Sequence, residues 1–123
     1  MAALCGTSYQ NQAARILRDF LEDYSIAEIE QAVNSAYDAS RWDDPDIAPV
    51  KALANNVYVL ELFHGPTAAF KDVALSILPQ LMGAALKKKG VHENVMILTA
   101  TSGDTGSAAL TGFCDVPGIR VLA

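Results

Sequence analysis

Val95–Phe113 reads VMILTATSGDTGSAALTGF, and it joins a short continuous apolar run to a small polar loop and then to a helix-like segment. The run VMILT, residues 95–99, has the texture of a strand buried on both faces, as in a parallel sheet covered by helices. TSGDTG follows as a loop, and Thr105–Phe113 as a helix. Upstream, VYVLELF at 57–63 is β-branched and aromatic, a second strand. HGPT at 64–67 is a turn, since Gly65 permits unusual dihedrals and Pro66 fixes one. A helix is expected from about Phe70 to Lys89, with Val73, Ile77, Leu78, Leu81, Ala85 and Leu86 on its apolar face. Pro79 implies a kink or break in it, because proline removes a donor and clashes with the preceding turn. Gly90 stops it. Downstream, Asp115–Gly118 turn the chain into IRVLA at 119–123, another buried strand. The order β-α-β-α-β argues an α/β fold with a parallel sheet. Three strands are few for a doubly wound fold and no helix covers the last. The expectation is an incomplete sheet from the N-terminal part of a larger protein.

Before these units, residues 9–24 place Ala13, Ile16, Leu17, Phe20 and Leu21 on one helical stripe. Ser25-Ile26-Ala27-Glu28 reads as a capping box starting a second helix, with Ile26, Ile29, Ala32, Val33, Ala36 and Tyr37 facing inward. RWDDPDIAPVKALANN, residues 41–56, reads as a connector with solvated acids and no regular metal-ligand spacing. Trp42 there is a packing anchor. The expected division is a helical subdomain with connector over 1–54 and an α/β region over 55–123.

The chain has 123 residues, 51% of them hydrophobic and 19% charged, enough to bury a core, and a net charge of −5. No basic stripe is interleaved with aromatics, so nucleic acid and acidic membrane surfaces are not expected partners. Lys87-Lys88-Lys89 reads as a solvated helix end suited to the negative pole of the helix dipole. Cys5 and Cys114 lack metal-ligand spacing and read as structural or free thiols of a reduced, cytoplasmic protein. The N-terminus lacks the charged-then-apolar pattern of a secretion signal, and no uncharged apolar stretch is long enough to span a membrane.

Chemistry concentrates in two places. Lys71 lies in the first turn of its helix, after Phe70 and before Asp72. The positive pole of the dipole and partial burial both work against a second positive charge, favouring a neutral, nucleophilic amine. The plainer account is a surface lysine paired with Asp72. The second place is the loop TSGDTGS. Gly103 and Gly106 let backbone approach a ligand, and outward N–H groups at a helix start attract carboxylate or phosphate. Thr101, Ser102 and Thr105 add hydroxyls, while Asp104 needs a proton-bearing or cationic partner. The plainer account here is a helix cap. The loop lacks the Gly-Lys-Ser/Thr ending of a nucleotide P-loop and the glycine spacing of a dinucleotide fingerprint. His64, in the turn before Lys71, could bond a phosphate or position the turn; His92 reads as solvated.

LELFHGPTAAFKD (60–72) and ATSGDTGSAA (100–109), in this order and behind the helical lead-in SYQNQAARIL…IAEIEQAVNSAYD, resemble the N-terminal part of the threonine synthase family, pyridoxal-phosphate enzymes of fold type II. The resemblance implies a fold made of a helical pair followed by the first βαβαβ units of such an enzyme. It implies that Lys71 forms the Schiff base with pyridoxal 5'-phosphate and later shuttles protons between substrate carbons. The substrate would be O-phospho-L-homoserine, converted with water to L-threonine and phosphate. Thr101, Ser102, Gly103, Asp104 and Thr105 would hold the substrate's α-carboxylate, with Asp104 near the phenolic oxygen of the cofactor. Asn is frequent at that position in similar enzymes, so Asp narrows the match. Ala68 stands where many relatives have a larger apolar residue. The family's Gly/Asn-rich loop for the cofactor phosphate and its Ser or Thr facing the pyridine nitrogen come later than residue 123, so this piece alone is expected to bind the cofactor weakly. Two other readings are a serine/threonine dehydratase or cysteine synthase, and a non-catalytic anion-binding α/β module.

Overall fold

The computed structural model describes Leu4 and residues 6–123; Cys5 lies outside them. The elements are α1 (Tyr9–Arg18), α2 (Ile26–Ala36), β1 (Val50–Ala52), β2 (Tyr58–Leu60), α3 (Asp72–Lys88), β3 (Val95–Leu98), α4 (Asp104–Phe113) and β4 (Ile119–Leu122).

Each of the first two helices begins on a serine. Ser8 Oγ accepts from Asn11 N in α1. The expected capping box of α2 forms: Ser25 Oγ accepts from Glu28 N at 3.3 Å, and Ser25 N donates to Glu28 Oε2 at 2.7 Å. Helix α1 is shorter than its apolar stripe implies. Asp19 N and Phe20 N bond three residues back, to Ile16 O and Leu17 O, which tightens the last turn and ends the helical phase. Phe20 therefore leaves the stripe and is 77% exposed; Ile26, at the first position of α2, is also exposed.

The first core gathers Ile29, Val33, Ala36, Tyr37, Trp42 and Ile47, with Val73 and Ile77 of α3 packed against it. Trp42 is the anchor its sequence context promised, its Nε1 donating to Ala36 O at 3.0 Å. Tyr37 OH and Tyr24 OH donate to Val73 O (2.9 Å) and Leu81 O (3.0 Å), joining the helical pair to α3. Lys88 is more than a solvated helix end. Its amine, though exposed like those of its neighbours, donates to Asp23 O and to Glu28 Oε2 (3.1 Å) and lies over the Tyr24 ring.

The connector carries more structure than its polar composition implied. Ile47 is fully buried at a φ of 62°. That conformation costs a β-branched residue of order 1–3 kcal/mol, comparable with the ~1.5–3 kcal/mol that burying its side chain contributes. Further on, β1 and β2 form an antiparallel hairpin, Val50 opposite Leu60 and Ala52 opposite Tyr58. Asn55 and Asn56 both have positive φ, 59° and 58°, and Val57 N bonds Ala54 O across them. This is the asparagine-rich turn that matches strand twist in a hairpin.

The α/β architecture holds, but the parallel sheet has two strands, β3 and β4, in the register Val95–Ile119 through Leu98–Leu122. The 57–63 run sits in the separate hairpin. Nor are β3 and β4 buried on both faces. Ile97 and Val121 pack with Ala109, Phe113 and Ile119, whereas the alternate residues Met96, Leu98 and Leu122 are 54%, 73% and 61% exposed. Helices α3 and α4 cover one face only, and side chains alternate along a strand.

Helix α3 runs unbroken through Pro79, which is fully buried. Proline has no N–H to give the carbonyl four residues back, Leu75 O. Gly112 of α4 lies against that same carbonyl: a Cβ there would sit 2.0 Å from Leu75 O. The missing side chain lets the two backbones meet. Gly112→Ala should lower the unfolding free energy by about 1–3 kcal/mol through overpacking, measured by urea denaturation. A wild-type midpoint would contradict the contact.

Candidate active site

Lys71 is the residue at which α3 begins, helical in its own backbone (φ −67°, ψ −20°) and half-buried. Its amine lies 4.3 Å from the centroid of the Phe70 ring. It does not pair with Asp72. That carboxylate turns inward, is 2% exposed, and accepts from Thr67 Oγ1 (2.6 Å), Thr67 N (2.8 Å) and Ala69 N (3.4 Å). Among the described residues, no carboxylate lies within ion-pair distance of the Lys71 amine. The plainer account of Lys71, a surface ion pair with its neighbour, fails on geometry. Sequence reasoning treated Asp72 only as that neighbour and missed its role in the turn.

The second element is the start of α4. Its cap residue is Gly103, extended at φ −147°, and no side chain caps the helix. The contrast with the serine-capped α1 and α2 is direct. Thr101, Ser102, Gly103 and Asp104 are exposed and Thr105 half-buried. Thr101 Oγ1 accepts from Gly103 N at 3.3 Å, inside the loop and short of the helix. Thr101 also leans on Gly106, where a Cβ would come within 2.9 Å of its Cγ2. The hydroxyl residues are therefore not consumed in capping, and the first turn of α4 keeps N–H groups open for an outside acceptor.

The two elements belong to helices that pack directly, α3 on α4, through Leu75 and Gly112. No hydrogen bond or ion pair between described residues joins Lys71 to 101–105. A groove of about 750 Å³, lined by Glu28, Gln31, Pro79, Lys87, His92 and Pro117 among others, contains neither Lys71 nor the loop. Among the described residues there is no cluster of His, Cys, Asp and Glu able to hold a metal, and no helix long and apolar enough to cross a membrane. Cys114 is a free, exposed thiol.

His64 is engaged at both nitrogens: Nδ1 with Asp43 Oδ1 at 2.5 Å and Nε2 with Glu61 Oε2 at 2.9 Å. With a carboxylate at each nitrogen, the arrangement favours the doubly protonated imidazolium, in which both nitrogens donate. Neither nitrogen is free for a phosphate; His64 ties the turn to the connector, helped by the bond from Asp43 N to His64 O. The Glu61 bond chiefly, then Asp43 by bond and charge, and Asp44 by charge, hold the pKa above its ordinary 6.5 against the opposing effect of burial. A raised histidine pKa stabilises the fold fully below the unfolded value and ceases to as pH rises through the folded one. The unfolding free energy lost in His64→Gln should thus be larger at about pH 6 than at about pH 9; a loss equal at both would contradict the imidazolium.

No family model matches the chain. It is 42% identical to the threonine synthase of Pseudomonas aeruginosa over 125 residues, covering 99% of this chain and 26% of that protein. The solved structure of PLP-bound threonine synthase from Brucella melitensis superposes with a TM-score of 0.88 at 38% identity, over 98% of this chain and 25% of that one. In sequence and in fold, the chain resembles threonine synthase. Yeast threonine synthase agrees, with a TM-score of 0.83 at 32% identity over 94% of this chain and 25% of its own. The chain spans about a quarter of the length of these threonine synthases.

Proposed function

We propose that this chain supplies the reactive lysine and the substrate-carboxylate loop of a cytoplasmic threonine synthase of fold type II, acting on O-phospho-L-homoserine and water to give L-threonine and phosphate. The observation that carries the reading is the Lys71 amine, with no carboxylate partner among the described residues, and the uncapped start of α4 on two packed helices, within a chain 42% identical to a threonine synthase.

The residues present fit pyridoxal 5'-phosphate. An amine with no carboxylate partner among the described residues is available for covalent attachment to an aldehyde. Lys71 would hold the cofactor, and Asp104 would face its phenolic oxygen, giving the exposed acid a proton-bearing partner. When bound, the cofactor supplies an electron sink for negative charge developing on substrate carbons. Lys71 Nζ would take and return protons at those carbons, in a reaction that removes phosphate from the γ carbon and adds water at the β carbon. Thr101, Ser102, Gly103 and Thr105 hold the α-carboxylate with N–H groups and hydroxyls at the positive pole of α4. A net charge of −5 fits a small-molecule substrate and neither nucleic acid nor a membrane surface.

The complete protein with pyridoxal phosphate should release phosphate from O-phospho-L-homoserine with formation of threonine, and Lys71→Ala should abolish it. Deamination of serine or threonine instead, with O-phospho-L-homoserine untouched, would contradict the substrate. Gly106→Ala, which pushes on Thr101, should raise KM for O-phospho-L-homoserine about tenfold, the effect of displacing one charge-assisted hydrogen bond. An unchanged KM would remove Thr101 from the carboxylate site.

A further inference from the structure

The turn before Lys71 is built around an anion that the chain itself provides. Ala68 sits in the left-handed region at a φ of 55°. The residues on either side of it, Thr67 and Ala69, point their N–H groups at one oxygen, Asp72 Oδ2, at 2.8 and 3.4 Å. The Thr67 hydroxyl donates to the other oxygen, Oδ1, at 2.6 Å. Gly65 lies so close to the carboxylate that a Cβ would stand 2.5 Å from Asp72 Cβ and 2.6 Å from Oδ2. Backbone N–H groups converging from both sides of a left-handed residue make an anion nest. Here the nest is filled and closed, with Asp72 only 2% exposed.

We propose that Asp72 is a positioning residue for Lys71: its carboxylate fills the nest at 67–69, fixes the backbone on which the amine stands, and by that engagement leaves the amine unpaired. The role rests on the reading of Lys71 as the cofactor-linked amine. The geometry gives it two parts. Asp72 and Lys71 are adjacent in sequence, so whatever holds the Asp72 side chain inward also sets where the lysine leaves the helix start. A carboxylate bound to three donors is also withdrawn from competition for the neighbouring ammonium.

The test compares the complete protein with Asp72→Asn and Thr67→Val. Asp72→Asn keeps the shape and removes the anion, leaving two backbone donors without a charged acceptor. Thr67→Val removes the single hydroxyl bond. Two readouts are followed: amide hydrogen exchange at Thr67 and Ala69, with α1 amides as reference, and titration with pyridoxal phosphate by its visible absorbance. In Asp72→Asn the two amides should exchange at least about tenfold faster with α1 unchanged, and affinity for pyridoxal phosphate should fall about tenfold to a hundredfold, the range for a lost hydrogen bond to a charged group. Thr67→Val should shift both in the same direction and by less, and it decides the matter if Asp72→Asn does not fold. Unchanged exchange overturns the nest. Faster exchange with unaltered affinity reduces Asp72 to a structural group and overturns the positioning role. A wild-type protein that develops no absorbance overturns the proposed function and with it that role, while the exchange measurement still judges the nest.

Discussion

Pro79 takes an N–H away from Leu75 O in the middle of α3, and Gly112 of α4 occupies the space beside that carbonyl. Through this contact the two halves of the chain become one structure. On one face of α3, Val73 and Ile77 complete the core of the helical pair; Leu75, Met82 and Leu86 pack on the core of α4 and β4. The starts of α3 and α4, where the candidate chemistry lies, inherit their relation from it. A side chain at 112 would separate the helices and move Lys71 relative to the loop without touching either.

The turns leading into the two helices treat their N–H donors in opposite ways. Both present N–H groups and the positive pole of a dipole. In the turn leading into α3, the chain closes the Thr67 and Ala69 donors with its own carboxylate, Asp72, and presents the Lys71 amine, while the helix start itself has no side-chain cap. At α4 it leaves the donors open behind Gly103 and presents small hydroxyl residues. The first arrangement suits a fixed reactive group and the second a transient anionic ligand.

Much of this was legible in the sequence because it depends on local patterns. The Ser25–Glu28 box, the end of α3 at Gly90, the strand–loop–helix at 95–113 and the anchoring by Trp42 are all set within a few residues. What was not legible depends on partners distant in the chain or on backbone geometry that composition does not reveal. Ile47 is one aliphatic among acids and prolines, and only the helices it packs on make it core. The hairpin was signalled by Asn55-Asn56, a turn pair hidden inside what reads as a polar connector. The one-sided burial of β3 and β4 reflects which helices lie on them, which an apolar run cannot report. Asp72 looked like a partner for Lys71 because the two are adjacent, yet successive residues at a helix start point in different directions. His64 carried a weak signal in the spacing Glu61-x-x-His64; Asp43 came from far upstream.

The central claim is that Lys71 is the amine that takes the cofactor. The most direct measurement is borohydride reduction of the complete protein after incubation with pyridoxal phosphate, followed by peptide mapping by mass spectrometry. The account predicts one stoichiometric adduct, on the peptide that contains Lys71, with Lys87, Lys88 and Lys89 unlabelled. A specific adduct on another lysine, or scattered labelling with Lys71 unmodified, would contradict it.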